Sequence, residues 1–282
     1  MKKIIFIADI FREHYLGGGE CNDDVLINYL LSQDFEVEKV LCRDVTTEKL
    51  DSGEVFIVGN FTQLSPNHRV GLLTKKYIIY EHDHKYVTTR DPSAFKDFKA
   101  PDDKIINKEF YKNASAVVVL SKICKEVIEK NLCITNVYNI GCSLWSDEKL
   151  EYIQGLVNTP KDKKYALIAS PNPVKGFLPA KKHCDENNLE YDIIQPCGEK
   201  DLLKQLARYE VYVFFPQVLE TFCRLATEAK MLNCKVLTRT SMLGLYSEEC
   251  HKLSGEKLIE DIYNRRSKAY ALFVDLIEDI NE

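Results

Sequence analysis

The chain has 282 residues, 45% of them hydrophobic and 29% charged, and 38 Lys and Arg against 43 Asp and Glu leave a net charge of −5. These values describe a globular protein with enough length for one large or two compact domains, and they exclude collagen-like and low-complexity classes. The acidic balance argues against broad electrostatic binding to nucleic acid, while a local basic groove stays compatible with it.

The chain opens on Met1-Lys-Lys-Ile-Ile-Phe-Ile-Ala8, and Asp9, Arg12 and Glu13 interrupt the apolar run, so it reads as a first buried strand and not as a signal peptide. Further strands are expected at residues 36–41, 54–58, 77–80, 116–120 and 136–140, with helices at 20–31, 67–74, 103–113 and 122–130. A second series has strands at 165–169, 191–194, 211–215 and 235–237 and helices at 176–187, 199–209 and 224–232. Continuous apolar strands alternating with helices imply parallel sheets covered on both faces. The expected organisation is a Rossmann-like domain over residues 1–150 and a second over 160–255, with an amphipathic helix over 256–282 that need not belong to the domain preceding it. The boundary is expected within 147–164, with the polar stretch 158–164 as linker. No apolar run approaches the ~20 residues of a membrane span, so no integral membrane segment is expected. The ten cysteines contain no Cys-x2-Cys pair, and several, such as Cys42, Cys124 and Cys234, sit in apolar contexts. Buried thiols in a reducing cytoplasm account for them, which makes the expected location cytoplasmic.

Four constellations bear on chemistry. Gly17-Gly18-Gly19-Glu20 follows the first strand and opens a helix, where backbone N–H groups accept an anion and glycine permits its close approach. The same glycines also suit a plain turn, and the pattern is neither Gly-x-Gly-x-x-Gly nor a P-loop. Glu81-His82-Asp83-His84 ends the fourth strand. Extended alternation would put His82 and His84 on one face, as metal ligands, a general base or hydrogen-bonding groups for a sugar or phosphate. Metal binding is the weakest of these, because no third ligand is close in sequence. Ser170-Pro-Asn-Pro-Val-Lys175-Gly176 follows a strand and opens a helix, so Lys175 is placed either to neutralise a diphosphate or as a surface lysine beside a proline-rich turn. In Leu219-Glu-Thr-Phe-Cys-Arg-Leu-Ala-Thr-Glu-Ala229, Glu220 lies on a loop after a strand and Glu228 in the first turns of the next helix, where the helix dipole favours anionic ligands.

Together these motifs resemble the retaining GT-B glycosyltransferases that carry a Glu-x7-Glu signature (the family 4-like type). Glu220 and Glu228 match the two glutamates, Lys175-Gly176 the Lys-Gly pair, His82 the strand-end histidine and Gly18-Gly19-Glu20, approximately, the Gly-Gly-x-Glu pattern. The segment ending Val-Val-Val-Leu-Ser121 looks like the last strand of the N-terminal domain and its following serine. The resemblance implies an α/β GT-B fold, two Rossmann-like domains facing across a cleft, and transfer of a sugar from a UDP- or GDP-sugar with retention of anomeric configuration. It implies His82, Lys175 and Glu220 as catalytic residues. Gly18, Gly19, Asn172, Gly176, Arg224 and Glu228 would bind the nucleotide sugar, with Glu228 on the ribose, Glu220 on sugar hydroxyls, and Lys175 and the Gly18-Gly19 backbone on the diphosphate. No metal and no cofactor beyond the donor are implied. The acceptor class stays open among a glycan, a lipid-linked glycan, a protein and nucleic acid.

The sequence departs from the family five residues before Lys175, where Ser170 replaces an arginine, and Arg224 is the cation that could substitute. That departure keeps a non-catalytic nucleotide- or carbohydrate-binding GT-B-like protein as an alternative. A Rossmann-type nucleotide-dependent oxidoreductase is a second alternative, weakened by the missing dinucleotide fingerprint.

Overall fold

The computed structural model describes residues 2–279, with Asp279 as backbone only. It divides into two compact units, one running to Trp145 and taking in the chain from Arg265 onward, the other Ser146–Asn264.

In the first unit the chain order is β1 (Lys3–Ala8), α1 (Gly18–Ser32), β2 (Glu36–Leu41), α2 (Thr47–Ser52), β3 (Val55–Val58), α3 (Pro66–Leu72), β4 (Tyr77–Tyr80), α4 (Lys108–Lys112), β5 (Ala116–Val119), α5 (Lys122–Leu132) and β6 (Val137–Asn139). The six strands form one parallel sheet in the order β2-β1-β3-β4-β5-β6. Ile5 of β1 sits opposite Glu38 of β2 on one side and Phe56 of β3 on the other. Every residue of β3, β4 and β5 is buried, as Val, Ile, Phe and Tyr runs covered by helices on both faces must be. Each fully buried Val or Ile side chain there contributes about 1.5–3 kcal/mol. The strand order reverses between β1 and β3, and the loops leaving a sheet at such a point form the crevice where open α/β sheets bind ligands.

The second unit runs α6 (Asp147–Gln154), β7 (Lys163–Ile168), α7 (Phe177–Glu186), β8 (Tyr191–Ile194), α8 (Glu199–Leu206), β9 (Tyr209–Val213), α9 (Arg224–Met231), β10 (Lys235–Leu237) and the start of α10 (Gly255–Asp279). Its parallel sheet is ordered β10-β9-β7-β8, so its reversal lies between β7 and β9. Leu167, Ala180, Cys184, Val213 and Phe215 form one of its buried clusters.

Three expectations require correction. The helix expected over 103–113 is a short 3-10 turn at Asp102–Lys104 followed by α4, because Asn107 takes a left-handed φ of 57° between them. The polar stretch 158–164 is no linker. Lys161 Nζ donates to the carbonyls of Ala207 (2.7 Å) and Leu232 (2.5 Å), and Arg208 Nε donates to Asp162 at 3.0 Å, which ties the stretch into the second unit. β9 begins at Tyr209, two residues before the expected start, and takes over the end of the expected helix 199–209.

From Arg265 onward α10 packs within the first unit. Arg266 Nη1 donates to the Trp145 carbonyl (2.6 Å), Tyr270 stacks on Tyr29 at 3.8 Å, and Phe273 meets Tyr80 edge-on. Among the described residues, no helix is long and apolar enough to cross a membrane.

Candidate functional site

In the second unit the loops after β7 and β9 are built against each other at the strand-order reversal. Ser170 Oγ accepts from the Asn172 amide (3.2 Å), and Asn172 Oδ1 accepts from the Val174 amide (3.1 Å), so both side chains shape the turn. A single 3-10 turn at Pro173–Lys175 follows, closed by Gly176 at φ +67°. A Cβ on Gly176 would overlap the Phe215 carbonyl oxygen at the end of the β9 segment, so only glycine permits this approach. The Gln217 amide donates to the Val174 carbonyl at 2.8 Å and completes the join.

That construction places Lys175 Nζ 2.7 Å from Glu220 Oε1. Lys175 is half exposed while Glu220 is largely covered, so the pair adds no more than about 1 kcal/mol to stability. Glu220 is held by its backbone, its amide donating to Met242 and its carbonyl accepting from Gly244 at 2.9 and 2.8 Å. Cys223 then takes a left-handed φ of 77° immediately before α9, a conformation costing a non-glycine residue about 1–3 kcal/mol. Its carbonyl accepts from both the amide and the hydroxyl of Thr227, and burial pushes its thiol pKa up. Arg224 is half-buried at the first position of α9, where a cation opposes the helix dipole. An anion at that terminus would reverse the penalty.

Glu228 is buried in the second turn of α9. The dipole argument therefore belongs to the amides at the start of the helix, Arg224–Thr227, and not to Glu228 itself, since the effect fades after one turn. What faces Glu228 is Lys149 of α6, with Nζ 3.6 Å from Glu228 Oε1 and 2.7 Å from Glu199 Oε1 of α8. Lys149 and Glu199 carry no motif, and only tertiary packing reveals them.

In the first unit, two motifs sixty residues apart come together. A Cβ on Gly19 would press on the His82 ring at 3.3 Å, so the glycine after β1 makes room for the histidine after β4. His82 Nε2 lies 2.7 Å from Asp23 Oδ1 of α1, with both side chains almost fully buried. An ionised Asp23 places a proton on Nε2 and fixes the ring's orientation. Asp23 was not distinguishable in sequence from any other helix carboxylate. Gly17 precedes α1, and a Cβ there would collide with the Glu20 carboxylate and the Tyr15 ring.

The alternation expected for His82 and His84 fails, because residues 81–84 form a bend and His84 takes φ +57°. His84 is buried, its Nδ1 3.0 Å from the Tyr86 hydroxyl. Glu81 lies in a buried network, accepting from Lys85 Nζ (2.8 Å), the Asp83 amide (2.9 Å) and the Tyr111 hydroxyl. Burial alone would raise its pKa, but the Lys85 charge and these hydrogen bonds outweigh it and hold the carboxyl below its usual value. Ser121 is buried at the position preceding α5. Among the described residues, no group of three or more His, Cys, Asp or Glu side chains is arranged to hold a metal ion.

His82→Ala leaves Asp23 buried without its 2.7 Å partner. The expected loss is about 1–3 kcal/mol of stability by urea denaturation. The His82→Ala/Asp23→Ala double variant should lose less than the sum of the single variants. Strict additivity would show that the two groups do not interact.

The chain matches no protein-family model and no curated protein by sequence. Solved structures do match its fold over nearly the whole length. The sucrose-phosphate synthase of Thermosynechococcus elongatus is similar over 99% of this chain and 98% of its own, with a TM-score of 0.64 and 11% identity. A glycosyltransferase involved in avilamycin A biosynthesis is similar over 99% and 97%, with a TM-score of 0.56 and 12% identity. An alpha-glucosyltransferase in complex with UDP and a 13-mer DNA containing an HMU base is similar over 99% of each chain, with a TM-score of 0.51 and 12% identity. The fold is that of the GT-B glycosyltransferases, an α/β architecture with two parallel, Rossmann-like sheets.

Proposed function

We propose that this chain is a retaining glycosyltransferase of the Glu-x7-Glu type that transfers a sugar from a nucleoside-diphosphate sugar, UDP- or GDP-linked, to a hydroxyl acceptor. The observation that carries this reading is the Lys175 to Glu220 pair at 2.7 Å, built by the two loops that leave the second unit's sheet at its reversal point. On a glycosyltransferase fold, that is where nucleotide and sugar chemistry meet.

Each residue has a role its chemistry suits. Glu228 accepts two hydrogen bonds from the ribose diol, and Glu220 accepts from the donor sugar's hydroxyls. Lys175 has three donors, so it can keep Glu220 and still meet a phosphate oxygen. Arg224 at the start of α9 supplies the second cation. This assignment suits the structural duty of Ser170, whose hydroxyl serves the turn. Asn172 and Gly176 set the loop that presents Lys175. Gly18 and Gly19 offer backbone amides at the start of α1 to the diphosphate, and His82 contacts the donor sugar or lines the acceptor side, oriented by Asp23. In transfer, the bond from the anomeric carbon to the phosphate oxygen breaks with its electron pair going to the diphosphate. The acceptor oxygen bonds that carbon on the same face, and its proton passes to the departing phosphate oxygen. Negative charge grows on the diphosphate, where fixed cations stabilise the transition state more than the ground state.

Lys175→Ala is therefore expected to depress turnover more than it weakens binding of the bare nucleoside. Equal losses would reduce Lys175 to a general binding residue. The reading as a whole is tested by a thermal-shift series with UDP, GDP, ADP and their sugars. One nucleoside diphosphate should raise the Tm, and its sugar conjugate should be consumed when glycan, lipid-linked glycan, protein and nucleic-acid acceptors are offered. Binding without consumption would favour a non-catalytic binding protein, and no shift with any ligand would overturn the assignment.

A further inference from the structure

Lys85, in the first unit, is a lysine with its side chain only 2% exposed. Its ammonium has three donors and meets three acceptors: Glu81 Oε1 at 2.8 Å, Asp83 Oδ1 at 3.1 Å and Asn60 Oδ1 at 3.3 Å. Glu81 and Asp83 flank His82 in the chain, so one ammonium fastens the residues on both sides of the histidine. The left-handed φ of 57° at His84 turns the chain back and brings Lys85 onto Glu81. The third arm reaches the loop after β3. Asn60 Nδ2 and the His82 ring are both among the atoms that a Cβ on Gly19 would meet, at 3.4 and 3.3 Å. The clamp therefore borders the seat of the His82 ring, which Asp23 contacts at 2.7 Å.

A buried ion pair is a weak source of stability, because desolvation of both charges offsets their attraction. A buried network with every member satisfied instead selects one geometry. β4 ends at Tyr80, and the Glu81 amide still donates to the Val118 carbonyl of β5 at 2.9 Å. The bend that follows is gathered around Lys85. We propose that Lys85 is a positioning residue: by fastening Glu81, Asp83 and Asn60 to one another, its ammonium fixes the bend that aims His82. This inference rests on the assignment of His82 to the donor sugar or the acceptor.

The test compares Lys85→Met, which keeps most of the side-chain volume and removes the charge, with the wild type and with His82→Ala, all as the full chain. Turnover of the nucleotide sugar should fall about 10- to 100-fold in Lys85→Met, the scale of a misplaced reacting group, while affinity for the nucleoside diphosphate is unchanged. In the His82→Ala background the same substitution should change turnover by less than about twofold, because the residue it acts through is gone. Proton–nitrogen correlation spectra of the imidazole rings read His82 directly, its signals being those absent from His82→Ala. Lys85→Met should move them. Glu81→Gln/Lys85→Met replaces the single variant if that does not fold, since it removes both charges of the pair and Asp83 keeps Arg90. Unmoved His82 ring signals, or equal fold-losses of turnover with and without His82, would overturn the proposal. If His82→Ala leaves turnover unchanged, or no nucleotide sugar is consumed, the assignment of His82 fails separately, and the ring spectrum still decides whether Lys85 orients it.

Discussion

Glu228→Ala is expected to remove most of the Tm increase that a nucleoside diphosphate confers. Glu228 is buried in the second turn of α9 with an ammonium 3.6 Å away that compensates its charge, and under the proposed reading it meets the ribose. A hydrogen bond to a charged acceptor contributes about 1.5–3 kcal/mol. Its loss should therefore weaken nucleotide affinity roughly 10- to 150-fold by calorimetry. The variant also leaves Lys149 with Glu199 alone, at 2.7 Å, so the ammonium stays paired and the fold should survive. Unchanged affinity in a folded variant would move the ribose elsewhere.

Gly176→Ala should have the largest effect on stability. Its φ of +67° costs an L-residue about 1–2 kcal/mol, and its added methyl group would overlap the Phe215 carbonyl. Backbone cannot swing aside as a long side chain can, so the two loops must separate. The expected total is about 3 kcal/mol or more by urea denaturation. Lys175 and Glu220 sit on those loops and are 2.7 Å apart, so turnover should fall along with stability. An unchanged denaturation midpoint would show that the turn has room that the geometry denies it.

The strands were readable because β3, β4 and β5 are uninterrupted apolar runs buried on both faces, which leaves no other state for them. The stretch 103–113 misled because its composition suits a helix, whereas a single left-handed asparagine at 107 divides it. α6 was hidden in a polar segment that resembled a boundary, and Lys149 was hidden with it. Lys175, Gly176, Glu220 and Glu228 stand out in the sequence because their spacing along the chain marks them. Asp23, Lys149 and Glu199 do not, since each acquires meaning only from a partner 50 to 79 positions away. The expected alternation of His82 and His84 failed for a local reason: alternation holds in a strand, and β4 ends at Tyr80.

Proton nuclear magnetic resonance of a nucleotide sugar incubated with the protein tests the central claim most directly. The sugar conjugate of whichever nucleoside diphosphate stabilises the fold should be consumed, and the first product signal should carry the anomeric configuration of the donor. Glu220→Ala should slow that consumption while the nucleoside diphosphate still binds. Persistence of the intact nucleotide sugar with every acceptor class, or a first product of opposite configuration, would contradict retaining transfer by this chain.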